Sequence, residues 1–324
     1  MPPKKPVIGY IGNFIPPFST ENDRKWSFEK LGYTVLPLQE NKITAEELRR
    51  LASGNKFHIL FYSHTHDWNI PHLVDVFLEL RKVGIPTVSV HLDRWAWLDR
   101  QKDIGVEATW FTEYQFMADG SPEAVKLYEK HRLNWYYLPA GVVERDCYMA
   151  APDPARFPYE IVFVGSKGYH KEYPFRPKLI EFLQKTYGER FGHYGNDGIE
   201  LVRGDDLNVL MASAKIVVGD SCFGGRPEYV SDRYYETRGR GGFLIHPVFP
   251  GIESHGVYPY VGKTDEEKLE DLKYSINYYL VNEDERERLR DEGFEWVKEH
   301  ETYTNRAQQM LDIIYGRNEK SKNK

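Results

Sequence analysis

Short apolar runs alternate along most of the chain with segments whose apolar residues recur at helical spacing. An apolar run of strand length between turn residues is typical of a buried strand in a parallel sheet. The first half has four such runs and two shorter ones: residues 7–11, 33–38, 57–62 and 85–90, then 108–112 and 135–138. Strands that alternate with helices predict a doubly wound α/β sheet.

The second half repeats this pattern after the segment APDPARFP, residues 151–158. Its three prolines resist both helix and central strand, so the sequence predicts a linker there. Residues 160–164, EIVFV, then begin a second α/β series. The pattern predicts domains at 1–157 and 158–300, followed by a helix and a polar tail at 301–324.

The composition agrees with two domains of about 150 residues each. The 324 residues are 41% hydrophobic and 28% charged, which is typical of a soluble globular protein. A formal charge of −6 predicts no general attraction to nucleic acid or to an anionic membrane. Two distant cysteines, no signal-peptide core and no membrane span lead us to expect a cytoplasmic protein.

Residues 226–247, RPEYVSDRYYETRGRGGFLIHP, predict a loop, a short helix capped by Ser231, a glycine turn and a buried strand. Glu228 and Glu236 stand eight positions apart, with Arg233 between them. An arginine suits a phosphate, and carboxylates accept hydrogen bonds from sugar hydroxyls. The alternative is that Arg233 and Glu236 pair with each other on a solvated helix face.

Loops that follow strands supply further candidates, because ligands of open α/β sheets gather at the carboxyl ends of strands. Gly12 ends the first strand, and Gly165 and Ser166 follow the strand that begins the second half. Small residues allow a ligand to approach the main chain, and Arg176 before the next helix could reach a diphosphate. Each also has a structural interpretation, as an ordinary turn or a solvated arginine.

Two further clusters follow strands of the first half. His64, His66 and Asp67 have a metal-ligand spacing, but Asn69 replaces the histidine that a dinuclear hydrolase motif requires. We therefore expect no metal ion and a polar loop on the acceptor side. His91 and Asp93 could orient an acceptor hydroxyl or take its proton, or Asp93 could cap the following helix.

The second half resembles the group-one glycosyltransferases, most closely their spore-maturation-protein-like branch. The resemblance is carried in order by FVGS at 163–166, Arg176, SDRYYE at 231–236, GRGGFLIHP at 239–247 and HETYTNR at 300–306. It implies the GT-B fold, in which two Rossmann-like doubly wound domains face each other across a cleft. It also implies that the C-terminal domain holds the donor, and that the last helix packs on the first domain.

The resemblance implies a role for each matching position. Glu228 would lie near the donor sugar and Glu236 near the ribose, while Arg176 and Arg233 would bind the diphosphate. The main chain at Gly241 and Gly242 would approach the donor. Many relatives use an arginine and a lysine for the diphosphate, and here Arg226 stands where a clear lysine is missing.

These observations predict a glycosyltransferase that uses a nucleotide-diphosphate sugar, such as a UDP-sugar, without a bound cofactor or metal. The resemblance implies retention of the anomeric configuration. A nucleotide-sugar epimerase and a non-catalytic sugar-binding protein of two lobes are the alternatives. The acceptor is left open among a glycan, a protein, a small molecule and a modified DNA base.

Overall fold

The structure is a computed structural model, and it describes residues 5–63, 70–94, 108–168, 173–221, 228–250 and 255–316. The chain divides into two units. The first unit comprises Met1–Pro139 and Tyr303–Lys324, and the second comprises Ala140–Thr302.

The first unit is built on a sheet of six strands. These are β1 (Val7–Gly12), β2 (Thr34–Gln39), β3 (Ile59–Ser63), β4 (Thr87–His91), β5 (Tyr114–Met117) and β6 (Trp135–Tyr137). All neighbouring pairs are parallel, in the order β2-β1-β3-β4-β5-β6. The helices are α1 (Thr20–Lys30), α2 (Ala45–Ser53), α3 (Leu73–Lys82) and α4 (Pro122–Lys130). The continuous apolar runs of β1, β3 and β4 are buried, as expected for strands with helices on both faces.

The prediction of a strand at 108–112 is wrong. Ala108–Phe111 form a 3₁₀ turn, and β5 begins at Tyr114. The hydroxyl of Thr112 donates to the carbonyl of Thr109 at 2.7 Å. Threonine side chains that bond nearby carbonyls favour a turn over a ladder, and periodicity alone does not report this.

The second unit has five parallel strands. These are β7 (Ile161–Val164), β8 (Phe191–Tyr194), β9 (Ile216–Val218), β10 (Leu244–Pro247) and β11 (Val257–Tyr260). Their order is β11-β10-β9-β7-β8. The helices are α5 (Phe175–Tyr187), α6 (Asp205–Ser213), α7 (Arg233–Gly239), α8 (Asp265–Val281) and α9 (Glu283–His300). Sequence analysis missed β11, because Pro259 argues against a central strand; β11 lies at the edge, where proline is tolerated.

Residues 140–157, which the sequence assigned to the first domain, are part of the second unit. The Arg156 guanidinium binds both carboxylate oxygens of Asp206, and the Asp153 N–H donates to the Ser213 hydroxyl at 2.8 Å. The prolines exclude regular structure from this segment. They do not prevent it from packing on α6.

The last helix, α10 (Tyr303–Ile314), belongs to the first unit. Its buried apolar face lies in one core with side chains of β1 and α1. That core includes Ile8, Tyr10, Phe28, Ala307, Met310, Leu311 and Ile314. The helix thus covers one face of the first sheet.

Two buried carboxyl groups flank Gly12 in the first unit. The Glu40 N–H donates to the Gly12 carbonyl at 3.0 Å, and a Cβ on Gly12 would lie 2.5 Å from Cγ of Glu21. Glu40 is 5% exposed, and its Oε2 has no hydrogen-bond partner among the described residues. Burial and then the negative charge of Glu21 raise the pKa of Glu40 to about 7.

Candidate functional site

The candidate site is the carboxyl edge of the second sheet between β7 and β9. The chain proceeds from β7 to β8 on one side, and β9 continues to β10 on the other. Such a reversal is the switch point at which open α/β sheets bind ligands. The loops that begin at Gly165 and Gly219 follow these two strands, and both glycines lie at this edge.

Arg176, which the sequence singled out, lies in the first turn of α5 and is 4% exposed. Its Nε lies 3.0 and 2.9 Å from the two carboxylate oxygens of Asp220, a fully buried residue after β9. Its Nη1 donates to the carbonyl of Ser166 at 3.2 Å. Asp220 therefore holds Arg176 against the loop after β7.

Arg233 is the first residue of α7 and reaches the same edge. Its Nε donates to the Val164 carbonyl at 2.7 Å, and its Nη1 donates to the Ser231 hydroxyl at 3.0 Å. Among the described residues no carboxylate lies within salt-bridge distance of its guanidinium group. A Cβ on Gly165 would lie 2.5 Å from the Arg233 Nε, and Gly165 has a φ of +143°, so this position requires glycine.

The two guanidinium groups influence each other. Burial lowers the pKa of Arg233, and the positive charge of Arg176 lowers it further, while Asp232 and Asp220 act in the opposite direction. An arginine nevertheless stays charged at neutral pH. Arg176 is paired with the buried carboxylate of Asp220, whereas the Arg233 guanidinium contacts only neutral oxygen atoms among the described residues, so Arg233 is placed to bind an anion.

Ser221 and His246 connect the loop after β9 to the start of α7. The Ser231 N–H donates to the Ser221 hydroxyl at 2.8 Å, and that hydroxyl lies 3.3 Å from Nε2 of His246. Burial lowers the pKa of His246 to about 3, so the ring is neutral and adds no charge. Sequence analysis missed Asp220, Ser221 and His246, since nothing in the local pattern distinguishes them from other buried polar residues.

The pairing of Arg233 with Glu236 that the sequence left open is wrong. Glu236 instead accepts a hydrogen bond from Nε of Arg240 at 2.6 Å, and Arg240 also binds the carboxylate of Asp146 at 2.6 Å. Burial raises the pKa of Glu236. The side chain is 21% exposed, so it lies within reach of a ligand.

The structure also describes the surroundings of the other candidates within residues 226–247. Glu228 is half-buried with a φ of +49°, a conformation that few residues other than glycine adopt. Ser231 precedes the helix cap, which is Asp232 and not Ser231 as predicted. A Cβ on Gly241 would lie 2.7 Å from Met149, and a Cβ on Gly242 would lie 2.8 Å from Thr237. Both glycines are therefore packed against protein side chains.

The remaining predicted residues belong to the first unit or lie outside the described residues. Gly12 and His91 end β1 and β4, His91 is buried, and Asp93 follows it half-buried. Sequence analysis missed the buried ion pair next to Asp93, between Arg94 Nε and Asp119 at 2.8 Å. Outside the described residues lie four candidates: His64, His66, Asp67 and Arg226. The described part of the chain has no cluster of three or more His, Cys, Asp or Glu side chains suited to a metal ion.

A family model described as glycosyl transferase-like matches residues 176–312, which include Arg176, Arg233 and Glu236. No curated protein sequence matches the chain. The structure is similar to Anabaena Alr3699/HepE in complex with UDP-glucose, with a TM-score of 0.64, 11% identity, and coverage of 96% of this chain and 100% of that one. It is also similar to a DNA-modifying β-glucosyltransferase, with a TM-score of 0.53, 9% identity, and coverage of 95% and 98%.

The chain has the GT-B fold. A third similar structure is the pneumococcal O-GlcNAc transferase GtfA in complex with UDP and GlcNAc, with a TM-score of 0.51 and 12% identity over 83% of this chain and 59% of that one. The two units correspond to the two Rossmann-like domains of the GT-B fold, and the switch point between β7 and β9 lies in the second of them. No described helix is both long and apolar enough to cross a membrane.

Proposed function

We propose that the chain is a glycosyltransferase that moves a sugar from a nucleotide-diphosphate sugar to a hydroxyl group of an acceptor. The observation that carries this proposal is the guanidinium of Arg233. It lies at the switch point beside a second cation and contacts only neutral oxygen atoms among the described residues. A diphosphate supplies the missing negative charge. The glycosyl transferase-like match and the GT-B fold support the same chemistry.

In the proposed reaction, the bond between the anomeric carbon and the diphosphate breaks while the acceptor oxygen forms a bond to that carbon. Negative charge develops on the leaving diphosphate, and Arg176 and Arg233 stabilise it there. The main chain at Gly165 and Ser166 lines the site. Because two guanidinium groups supply this charge, we propose that the transfer needs no metal ion.

The sugar and acceptor contacts extend the proposal to further residues. Glu228 is proposed to contact the donor sugar in a transfer that retains the anomeric configuration. In the first unit, Asp93 is the proposed group that takes the proton of the acceptor hydroxyl, with His91 beside it. His64, His66 and Asp67 stay predicted acceptor-side residues, and Arg226 a predicted diphosphate contact.

Nucleoside diphosphates are expected to stabilise the protein against heat. A ligand at a hundred times its Kd adds about 2.7 kcal/mol to the free energy of unfolding. We expect UDP or GDP to raise the melting temperature, with uridine or guanosine as the control without a diphosphate. EDTA is expected to leave both the shift and the turnover unchanged. The absence of a shift with every nucleoside diphosphate would refute the proposed donor site.

Glu236→Gln tests the proposed ribose contact. The substituted amide loses the charge-assisted part of that contact, so we expect the affinity for the nucleotide to fall about tenfold or more. The substitution also weakens the bond to Arg240, which affects every nucleotide equally. A 2′,3′-dideoxy nucleotide separates the two effects, because a ribose contact predicts that the substitution no longer alters its affinity. Equal losses for both nucleotides would remove Glu236 from the donor site.

A further inference from the structure

The loop between β1 and α1, residues 13–19, presents an apolar surface to solvent. Its sequence is NFIPPFS, and the four consecutive residues Ile15, Pro16, Pro17 and Phe18 are all exposed. Ile15 is 64% exposed and Phe18 is 53% exposed. A run of four exposed apolar residues is not expected in a soluble protein unless the run has a function.

Hydrogen bonds hold this loop in one conformation. The Phe14 N–H donates to Oε1 of Gln39 at 2.9 Å, and Nδ2 of Asn22 donates to the Pro16 carbonyl at 2.8 Å. The Ser19 N–H donates to the same carbonyl at 3.1 Å. The two prolines restrict the backbone further. A surface that is ordered before binding costs little conformational entropy when a ligand covers it.

The loop also lies where a ligand is expected. In the first sheet β1 pairs with β2 on one side and with β3 on the other, and the chain therefore reverses direction between β1 and β3. The loop follows β1 at the carboxyl edge of this switch point, the position at which open α/β sheets bind ligands. None of its seven residues is charged.

We propose that residues 13–19 bind the acceptor of the sugar transfer, and that this acceptor is a small alcohol or phenol with an apolar or aromatic body. The inference rests on the proposed function, since it assigns the second substrate of the same reaction. An uncharged apolar loop matches an uncharged apolar ligand. A DNA acceptor would require lysine or arginine side chains to contact phosphates, and this loop has none.

The test measures binding of 4-methylumbelliferone, a planar aromatic alcohol, by its own fluorescence in the presence of UDP. We expect the wild type to bind this probe. The double substitution Ile15→Ser with Phe18→Ser is expected to weaken binding at least about tenfold, because each buried apolar side chain contributes about that much to affinity. Both side chains are exposed, so the melting temperature is expected to stay unchanged.

Val83→Ser is the matched control. Val83 is 71% exposed in the same unit but follows α3 and precedes β4, at the opposite edge of the sheet. Its replacement is expected to leave probe binding unchanged. Failure of the wild type to bind the probe, equal weakening by Val83→Ser, or loop-dependent binding of a DNA duplex would each overturn the inference. UDP affinity is measured on the same samples, so a missing donor site is recognised separately from a missing acceptor site.

Discussion

Arg233→Gln is expected to abolish most of the affinity for a nucleoside diphosphate without unfolding the protein. Glutamine keeps a donor for the Val164 carbonyl but removes the charge that the diphosphate is proposed to neutralise. Hydrogen bonds to charged groups contribute about 1.5–3 kcal/mol each, so we expect a loss of at least about a hundredfold in affinity. Isothermal titration with UDP or GDP measures it.

The stability of the protein without ligand is expected to change little on this substitution. Arg233 is half-buried beside Arg176, and burial and then the positive charge of Arg176 lower its pKa, which means that the positive charge itself is unfavourable in the free protein. Removing that charge offsets the loss of the hydrogen bond to Ser231. We therefore expect the free energy of unfolding without ligand to change by no more than about 1 kcal/mol.

Arg238→Gln is the matched control on the same helix. Arg238 is 1% exposed; its Nε donates to the Tyr234 carbonyl and its Nη1 to the His255 carbonyl. Glutamine at this position loses the hydrogen bond to the His255 carbonyl and the contact of the guanidinium with the Tyr234 ring, and we expect a destabilisation of about 1–3 kcal/mol with unchanged nucleotide affinity. If Arg233→Gln lost only stability, as this control is expected to, the anion site would be refuted.

The second large effect is expected at Glu40, which is buried in the first unit. Its pKa is about 7 in the folded protein, against an ordinary value of 4.5. Below pH 4.5 the carboxyl is protonated in both states, and burial has no electrostatic cost. Between pH 4.5 and about pH 7 this carboxyl is ionised in the unfolded chain but still protonated in the folded protein, so the free energy of unfolding falls as the pH rises. The loss reaches up to about 3 kcal/mol above pH 7, at 1.36 kcal/mol per pKa unit.

Glu40→Gln removes this dependence, because the amide carries no ionisable proton. We expect the variant to match the wild type at about pH 4 and to be more stable by up to about 3 kcal/mol at about pH 8. Urea unfolding of the two proteins across this range measures the difference. Glu46→Gln, at an exposed position in α2, is the control; it keeps Glu40 and is therefore expected to lose stability with rising pH as the wild type does.

The charges around Glu40 make a second check possible. Glu21 raises the pKa of Glu40, and Arg24, which is 1% exposed, faces Tyr10 and Ser63 from the same helix as Glu21. Glu21→Gln is therefore expected to shift the loss of stability to lower pH by removing the like charge. A stability difference between wild type and Glu40→Gln that stays constant with pH would contradict the assignment.

Local patterns in the sequence predicted the fold class because each pattern has a local cause. Buried parallel strands require continuous apolar runs, and those of β1, β3, β4 and β7 lie where the runs predicted them. The interpretation of residues 108–112 was wrong where threonine hydroxyls compete with the ladder. Arg176 was singled out because an arginine near a helix start, after a small-residue loop, suits a phosphate, and its role in binding one stays a prediction.

Pairing between side chains was harder to predict than the elements. The sequence analysis considered Arg233 as the partner of Glu236 at i,i+3, whereas Arg240 at i,i+4 is the observed partner. Both spacings lie on one face of a helix. The choice between them depends on Asp146, which binds Arg240 from a segment far away in the chain.

The sequence by itself determined the two α/β halves, the candidate loops after their strands and the arginines near them, because hydrophobic spacing and residue chemistry are local properties. Only the tertiary structure decided the strand order, and with it the switch point between β7 and β9 where Arg176 and Arg233 meet. It also decided that Asp220 pairs with Arg176 and not with Arg233, and that Glu40 is buried beside Glu21. Strand order and burial result from contacts between residues that are distant in the chain, and an isolated charged residue in a sequence has the same appearance whether it is buried or solvated.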